Sequence, residues 1–137
     1  MRFMIIVKAS PLSEAGEMPS ETLLASMATY HEQLAQAGVL LDASGLQPSS
    51  KGWRIRYEAG QRLVTDGPFT ESKELMAGYT LIQVRSREEA MEWTRRFPCP
   101  QQNEADAEIE VRQVFELDDF SPGEAVGRFR ELAIGGA

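Results

Sequence analysis

The chain has 137 residues, 42% hydrophobic and 26% charged, the make-up of one globular domain with its own core. A net charge of −7 speaks against a nucleic-acid surface, which needs a basic patch to neutralise phosphates, and against an anionic membrane. One cysteine, Cys99, rules out an internal disulfide, and with a single histidine, His31, a Cys/His metal site within one chain is all but excluded.

Arg2 to Lys8 reads as a strand with apolar residues on both faces: Phe3, Ile5 and Val7 on one, Met4 and Ile6 on the other. Such a strand is central in its sheet and covered on both sides. The run is too short for a signal-peptide core or a membrane span, so the protein is expected in the cytoplasm. Ser10 to Pro19 reads as a loop, with two prolines and a glycine. A helix then begins near Pro19 or Ser20. At about 100° per residue, Leu23, Met27, Tyr30, Leu34 and Gly38 fall on one stripe, and His31 lies within it, facing the sheet.

Val39 to Leu41 begins another strand, and Asp42 to Pro48 turns the chain. Trp53 to Glu58 alternates apolar and polar residues, the pattern of a half-buried strand. Glu58 to Gln61 is a hairpin turn, and Arg62 to Val64 the return strand. Gly78 to Val84 is a further strand, largely apolar on both faces. Ser86-Arg87-Glu88-Glu89 is a capping box opening a helix whose face carries Ala90, Trp93, Thr94 and Phe97. Ile109 to Phe115 is the last strand, followed by a weakly amphipathic tail with Val126, Phe129 and Leu132.

This order fits an α+β, ferredoxin-like split βαβ plan: an antiparallel sheet with both helices on one face. The opposite sheet face then carries apolar side chains that a second copy would cover, so a homodimer is expected. The boundaries are one domain over residues 1–120 and a tail over 121–137, partly helical and docked.

Between the hairpin and the Gly78 strand lies Asp66-Gly67-Pro68-Phe69, followed by Glu71-Ser72-Lys73-Glu74 and Gly78-Tyr79. This stretch resembles the DGPF branch of the YCII-related family. In the same order stand Met4-Ile5-Ile6, Ala37-Gly38-Val39-Leu40, Gly45-Leu46-Gln47-Pro48, Ala90-Met91-Glu92-Trp93 and Ile109-Glu110-Val111-Arg112. The likeness runs over roughly residues 1 to 117 and implies a dimeric α/β-barrel fold. The family's members mostly have no assigned reaction, and some are encoded beside extracytoplasmic-function sigma factors. The wider YCII group has a histidine–aspartate pair proposed as catalytic. Counting back from Gly38, that histidine falls near Met27, one turn before His31 on the same helix face.

The candidate site residues each carry two readings. Asp66 anchors a turn, with Gly67 permitting a positive φ, Pro68 fixing the exit and Phe69 plugging the core; or Asp66 faces a cleft as acid, base or ligand acceptor, with Gly67, Pro68 and Phe69 as ligand-binding candidates beside it. His31 is a hydrogen-bonded residue at the core edge, or a general acid/base partnered by Asp66 or Asp42. Asp42 is otherwise a turn residue. Arg54 and Arg112 are solvated strand residues, or line a cavity and favour an anionic ligand, with Lys73 assisting. Cys99 has no basic neighbour in sequence to activate it. Two functions follow. One is a homodimeric protein that binds a small anionic or polar molecule, or performs acid/base chemistry on it without a cofactor or metal. The other is a non-catalytic regulatory module, using its tail or sheet edge.

Overall fold

The computed structural model describes residues 1–71, 74–101 and 106–133. The chain runs β1 (Arg2–Lys8), α1 (Pro11–Glu14), α2 (Glu21–Gln36), β2 (Leu40–Gly45), β3 (Trp53–Glu58), β4 (Gln61–Asp66), β5 (Met76–Gln83), α3 (Arg87–Arg95), β6 (Ile109–Gln113) and α4 (Glu124–Glu131). Single 3-10 turns stand at Ser49–Lys51 and Leu117–Asp119. Four strands form one antiparallel sheet in the order β2-β5-β1-β6, while β3 and β4 form a separate ribbon. This is the ferredoxin-like arrangement, with the β3–β4 ribbon inserted between its second and third strands.

The core lies between the sheet and the two long helices. Phe3 and Ile5 of β1 meet Ile82 of β5 with Val84 just beyond it, Tyr30 and Leu34 of α2, and Ala90 of α3 in one cluster. Both helices therefore cover the same sheet face. Ile5, Leu34 and Ile82 are fully buried, each contributing roughly 1.5–3 kcal/mol through removal from water. The opposite face carries the other alternation set. Met4 pairs with Leu81 and Ile6 with Tyr79, and all four are half-buried.

Local chemistry accounts for the helix ends. Ser20 Oγ accepts the Leu23 N–H at the start of α2. At its end the Gly38 N–H reaches the Ala35 carbonyl and the Val39 N–H the Leu34 carbonyl, a Schellman closure. Val39 and Leu34 are both buried there, so the same turn delivers the chain into β2. Ser86 caps Glu89 as expected, but the Glu89 carboxylate accepts the Arg85 N–H, one residue before the cap.

Four local expectations are corrected. The Ser10–Pro19 segment contains α1, closed by reciprocal bonds between Ser10 and Ser13 with Pro11 in the first turn. β2 continues through Asp42–Gly45 instead of turning, because β5 pairs with it as far as Gly45. The β3–β4 ribbon is exposed along its whole length rather than half-buried. Phe69 packs under the Arg54 guanidinium, 3.8 Å from its ring centroid, and is no part of the core. The tail forms α4, which meets the Leu117–Asp119 turn through an Arg130–Asp118 ion pair and leaves Phe129 and Leu132 exposed. No helix among the described residues is long and apolar enough to cross a membrane.

Candidate functional site

β1 and β2 both run antiparallel to β5, so the ends of β1 and β2 and the start of β5 lie at one end of the sheet. The chain leaves the sheet twice there: from β1 into α1 and α2, and from β2 into the ribbon. Between these excursions lies a cavity of about 480 Å³. Its floor is Val7, Gly45 and Ala77 at the strand ends. Leu12 of α1, Leu23 and Met27 of α2, and Leu46 form apolar walls. Ser13, Glu17, Gln47 and Gln101 supply polar groups, and among the described residues no lysine or arginine lines it. This size and balance are those of small-molecule sites. A second, open groove of about 710 Å³ runs along the outer side of α2 beside Arg96 and Pro98.

The Asp66–Phe69 stretch stands behind one wall of the cavity. The Gly67 N–H donates to the Gly52 carbonyl at 3.0 Å, and the Phe69 N–H donates to Ser49 Oγ at 3.0 Å. Ser49 in turn donates its hydroxyl and its N–H to the Glu14 carboxylate at the end of α1. Ser49 adjoins Pro48, a lining residue. The stretch thus joins ribbon, Ser49 turn and α1 into one frame around the cavity. The Gly67–Pro68 peptide is cis. Gly67 does not take the positive φ expected of it; glycine is required instead because the residue lies against the Ser49 carbonyl with no room for a Cβ. Asp66 is exposed on the ribbon, and its carboxylate enters no hydrogen bond or ion pair among the described residues.

His31 stands elsewhere. Its Nδ1 lies 2.7 Å from the Met27 carbonyl and its Nε2 lies 2.8 Å from the Thr80 hydroxyl. A carbonyl only accepts, so Nδ1 carries the proton, and in the neutral ring Nε2 accepts the Thr80 O–H. Both nitrogens are engaged, Thr80 is buried, and His31 lines neither the cavity nor the groove. Tyr30 beside it donates its hydroxyl to the Trp93 carbonyl at 2.7 Å. Burial pushes that phenol up to about 12, the nearby Arg96 charge opposing the shift.

The candidate acid/base partners are not brought together. Thr80 faces the helices, whereas its neighbour Tyr79 faces the opposite side, where its hydroxyl donates to Asp42 at 2.8 Å. The sheet therefore separates His31 from Asp42. Arg112 pairs with Glu110 at 3.2 Å on that same far face. Lys8 and Arg112 hold the exposed Glu110 carboxyl below its ordinary range, the Lys8 hydrogen bond acting most strongly. Arg54 pairs with Glu71 at 3.7 Å over the Phe69 ring. None of Asp66, Gly67, Pro68, Phe69, Arg54 and Arg112 lines the cavity, and Lys73 lies outside the described residues. No group of three or more His, Cys, Asp or Glu side chains that could hold a metal ion comes together among the described residues.

The YCII-related domain matches residues 1–118. The chain belongs to the YCII-related family. A curated relative, "Uncharacterized protein R00369" of Rhizobium meliloti (strain 1021), is 31% identical over 104 residues, 76% of this chain and 80% of that one. Among solved structures, 5-chloro-2-hydroxyhydroquinone dehydrochlorinase (TftG) from Burkholderia phenoliruptrix AC1100, in complex with 2,5-dihydroxybenzoquinone, aligns with a TM-score of 0.47. It is 14% identical, over 85% of this chain and 95% of that one. Within this YCII-related chain, Met27 places a thioether in the cavity wall.

The cavity walls contributed by α1 and Leu46 were not anticipated. The available signal was Ser10-Pro11-x-Ser13, a reciprocal cap with proline at the first helical position, which marks even a single-turn helix.

Proposed function

We propose that this YCII-related protein is a homodimeric binding protein for a small neutral molecule, held in the cavity at the end of the sheet. One observation carries the reading: a 480 Å³ space walled by Leu12, Leu23, Met27 and Leu46, with amide and hydroxyl groups and, among the described residues, a single carboxylate around it. Apolar walls reward the burial of an apolar body, and a few polar groups orient it. Glu17 among the lining groups, with no lysine or arginine beside it among the described residues, disfavours an anion. His31 serves the fold instead of a reaction, since an imidazole bonded at both nitrogens and away from the cavity has no proton to exchange with a ligand there. The dimer forms through the sheet face that carries Met4, Ile6, Tyr79 and Leu81, the face turned away from α2 and α3.

A neutral fluorescent probe, N-phenyl-1-naphthylamine, tests the reading. It should bind saturably, one per chain, with a blue-shifted and enhanced emission. Met27→Trp, which fills the cavity, should abolish the signal while preserving the far-UV spectrum, and Asp66→Asn should leave it in place. Absence of saturable binding, or equal binding by Met27→Trp, defeats the proposal.

A further inference from the structure

The cavity at the end of the sheet is unevenly supplied with hydrogen-bonding groups. Several backbone donors of its lining are spent on local turns. The Gly16 N–H reaches the Ser13 carbonyl at 3.1 Å, the Glu17 N–H the Leu12 carbonyl at 3.1 Å and the Leu46 N–H the Ala77 carbonyl at 2.8 Å. Pro19, Pro48 and Pro100 have no N–H to offer. The Ser13 hydroxyl donates to the Ser10 carbonyl at 3.1 Å and accepts the Ser10 N–H at 2.8 Å, so the cap of α1 occupies it.

Among the described lining side chains, Ser10, Gln47 and Gln101 each retain a donor, but a hydroxyl or an amide brings an acceptor with it. Such groups meet a donor or an acceptor equally well. Glu17 is one-sided. A carboxylate only accepts, and no described residue gives this one a hydrogen bond or an ion pair. Glu14, earlier in the same segment, is the contrast: its carboxylate is taken up by the Ser49 hydroxyl and N–H. Glu17 is also exposed at the rim, so solvent serves its oxygens until a ligand covers them.

We propose that Glu17 is the specificity-determining residue of this cavity, and that it selects an apolar molecule ending in a hydroxyl or N–H donor. The inference rests on the binding function proposed above and narrows it from a neutral molecule to one that donates.

The selection comes from an asymmetry. A ligand that covers Glu17 with an alkyl group or a carbonyl strips water from the carboxylate and returns nothing, so the desolvation of a charged acceptor goes uncompensated. A hydroxyl or N–H restores the lost bond, and a bond to a charged acceptor is stronger than one between neutral groups. The walls of Leu12, Leu23, Met27 and Leu46 reward the apolar body of either ligand alike. The polar end then decides between them.

Two naphthalenes with one carbon skeleton test the assignment: 1-(2-naphthyl)ethanol, which donates, and 2-acetonaphthone, which only accepts. Each is titrated against bound N-phenyl-1-naphthylamine. The unaltered protein should release the probe to the alcohol at a concentration at least about tenfold lower than to the ketone, the effect of one bond to a charged group. Glu17→Leu, which removes the acceptor, should bring the two ligands to within about twofold of each other. The melting temperature should not fall in this variant, since the Glu17 side chain has no partner among the described residues to lose. Equal displacement by alcohol and ketone in the unaltered protein, or a preference for the alcohol that persists in Glu17→Leu, overturns the assignment. The binding reading then stands, because the probe is still held saturably. Absence of saturable probe binding by the unaltered protein defeats both.

Discussion

Gly67 and Ser49 are in backbone contact: a Cβ placed on Gly67 would lie 1.8 Å from the Ser49 carbonyl oxygen and 2.6 Å from its carbon. The obstructing atoms are backbone, so no side chain can rotate away. Gly67→Ala must push the ribbon base off the Ser49 turn, breaking the Phe69–Ser49 bond that closes the frame. Such overpacking costs about 1–3 kcal/mol, and here the upper end or beyond is expected. Denaturant unfolding measures it, and an unchanged midpoint contradicts the close approach.

Asp66 provides the contrast within the same four residues. Its carboxylate is exposed and enters no hydrogen bond or ion pair among the described residues. Asp66→Asn should therefore change stability by no more than about 0.5 kcal/mol, the range of a surface substitution. A loss as large as that of Gly67→Ala would show that Asp66 holds the turn, and thermal melting separates the two outcomes.

The Thr80 hydroxyl is a buried donor whose partner is the His31 ring. Thr80→Val leaves His31 Nε2 facing an apolar methyl with no replacement bond. The expected loss is about 1–3 kcal/mol, the cost of an unsatisfied buried polar atom. Because His31 stands away from the cavity, binding of the naphthylamine probe should persist in this variant. Loss of binding with stability unchanged would return His31 to the site.

How far the sequence reaches depends on whether the cause of a feature is local. The stripe through Tyr30 and Leu34 and the doubly apolar β1 state which residues face inward, and the structure buries Phe3, Ile5, Tyr30 and Leu34 together. Caps at Ser20 and Ser86 are local chemistry and were legible. The extension of β2 through Asp42–Gly45 was not, because those residues favour turns and only pairing with Tyr79 and Gly78 makes them a strand. The alternation in Trp53–Glu58 reveals a two-faced strand but not whether anything covers it. The need for glycine at position 67 comes from a carbonyl at Ser49, distant along the chain, which no local pattern displays.

Alkaline titration tests the packing between the two long helices. The Tyr30 hydroxyl on α2 donates to the Trp93 carbonyl on α3, and burial raises its pKa from 10.0 to about 12. In the unfolded chain the phenol ionises near 10, so between these values the folded state binds more protons than the unfolded state. Stability then falls as pH rises. The contribution is fully present below pH 10 and is lost progressively as pH rises through about 12. Tyr30→Phe removes both the hydrogen bond and the titrating group. It should cost about 1 kcal/mol at neutral pH and flatten the decline in stability between pH 10 and 12. Urea unfolding at intervals across that range measures both effects. An equal alkaline decline in Tyr30→Phe would place its origin in other groups.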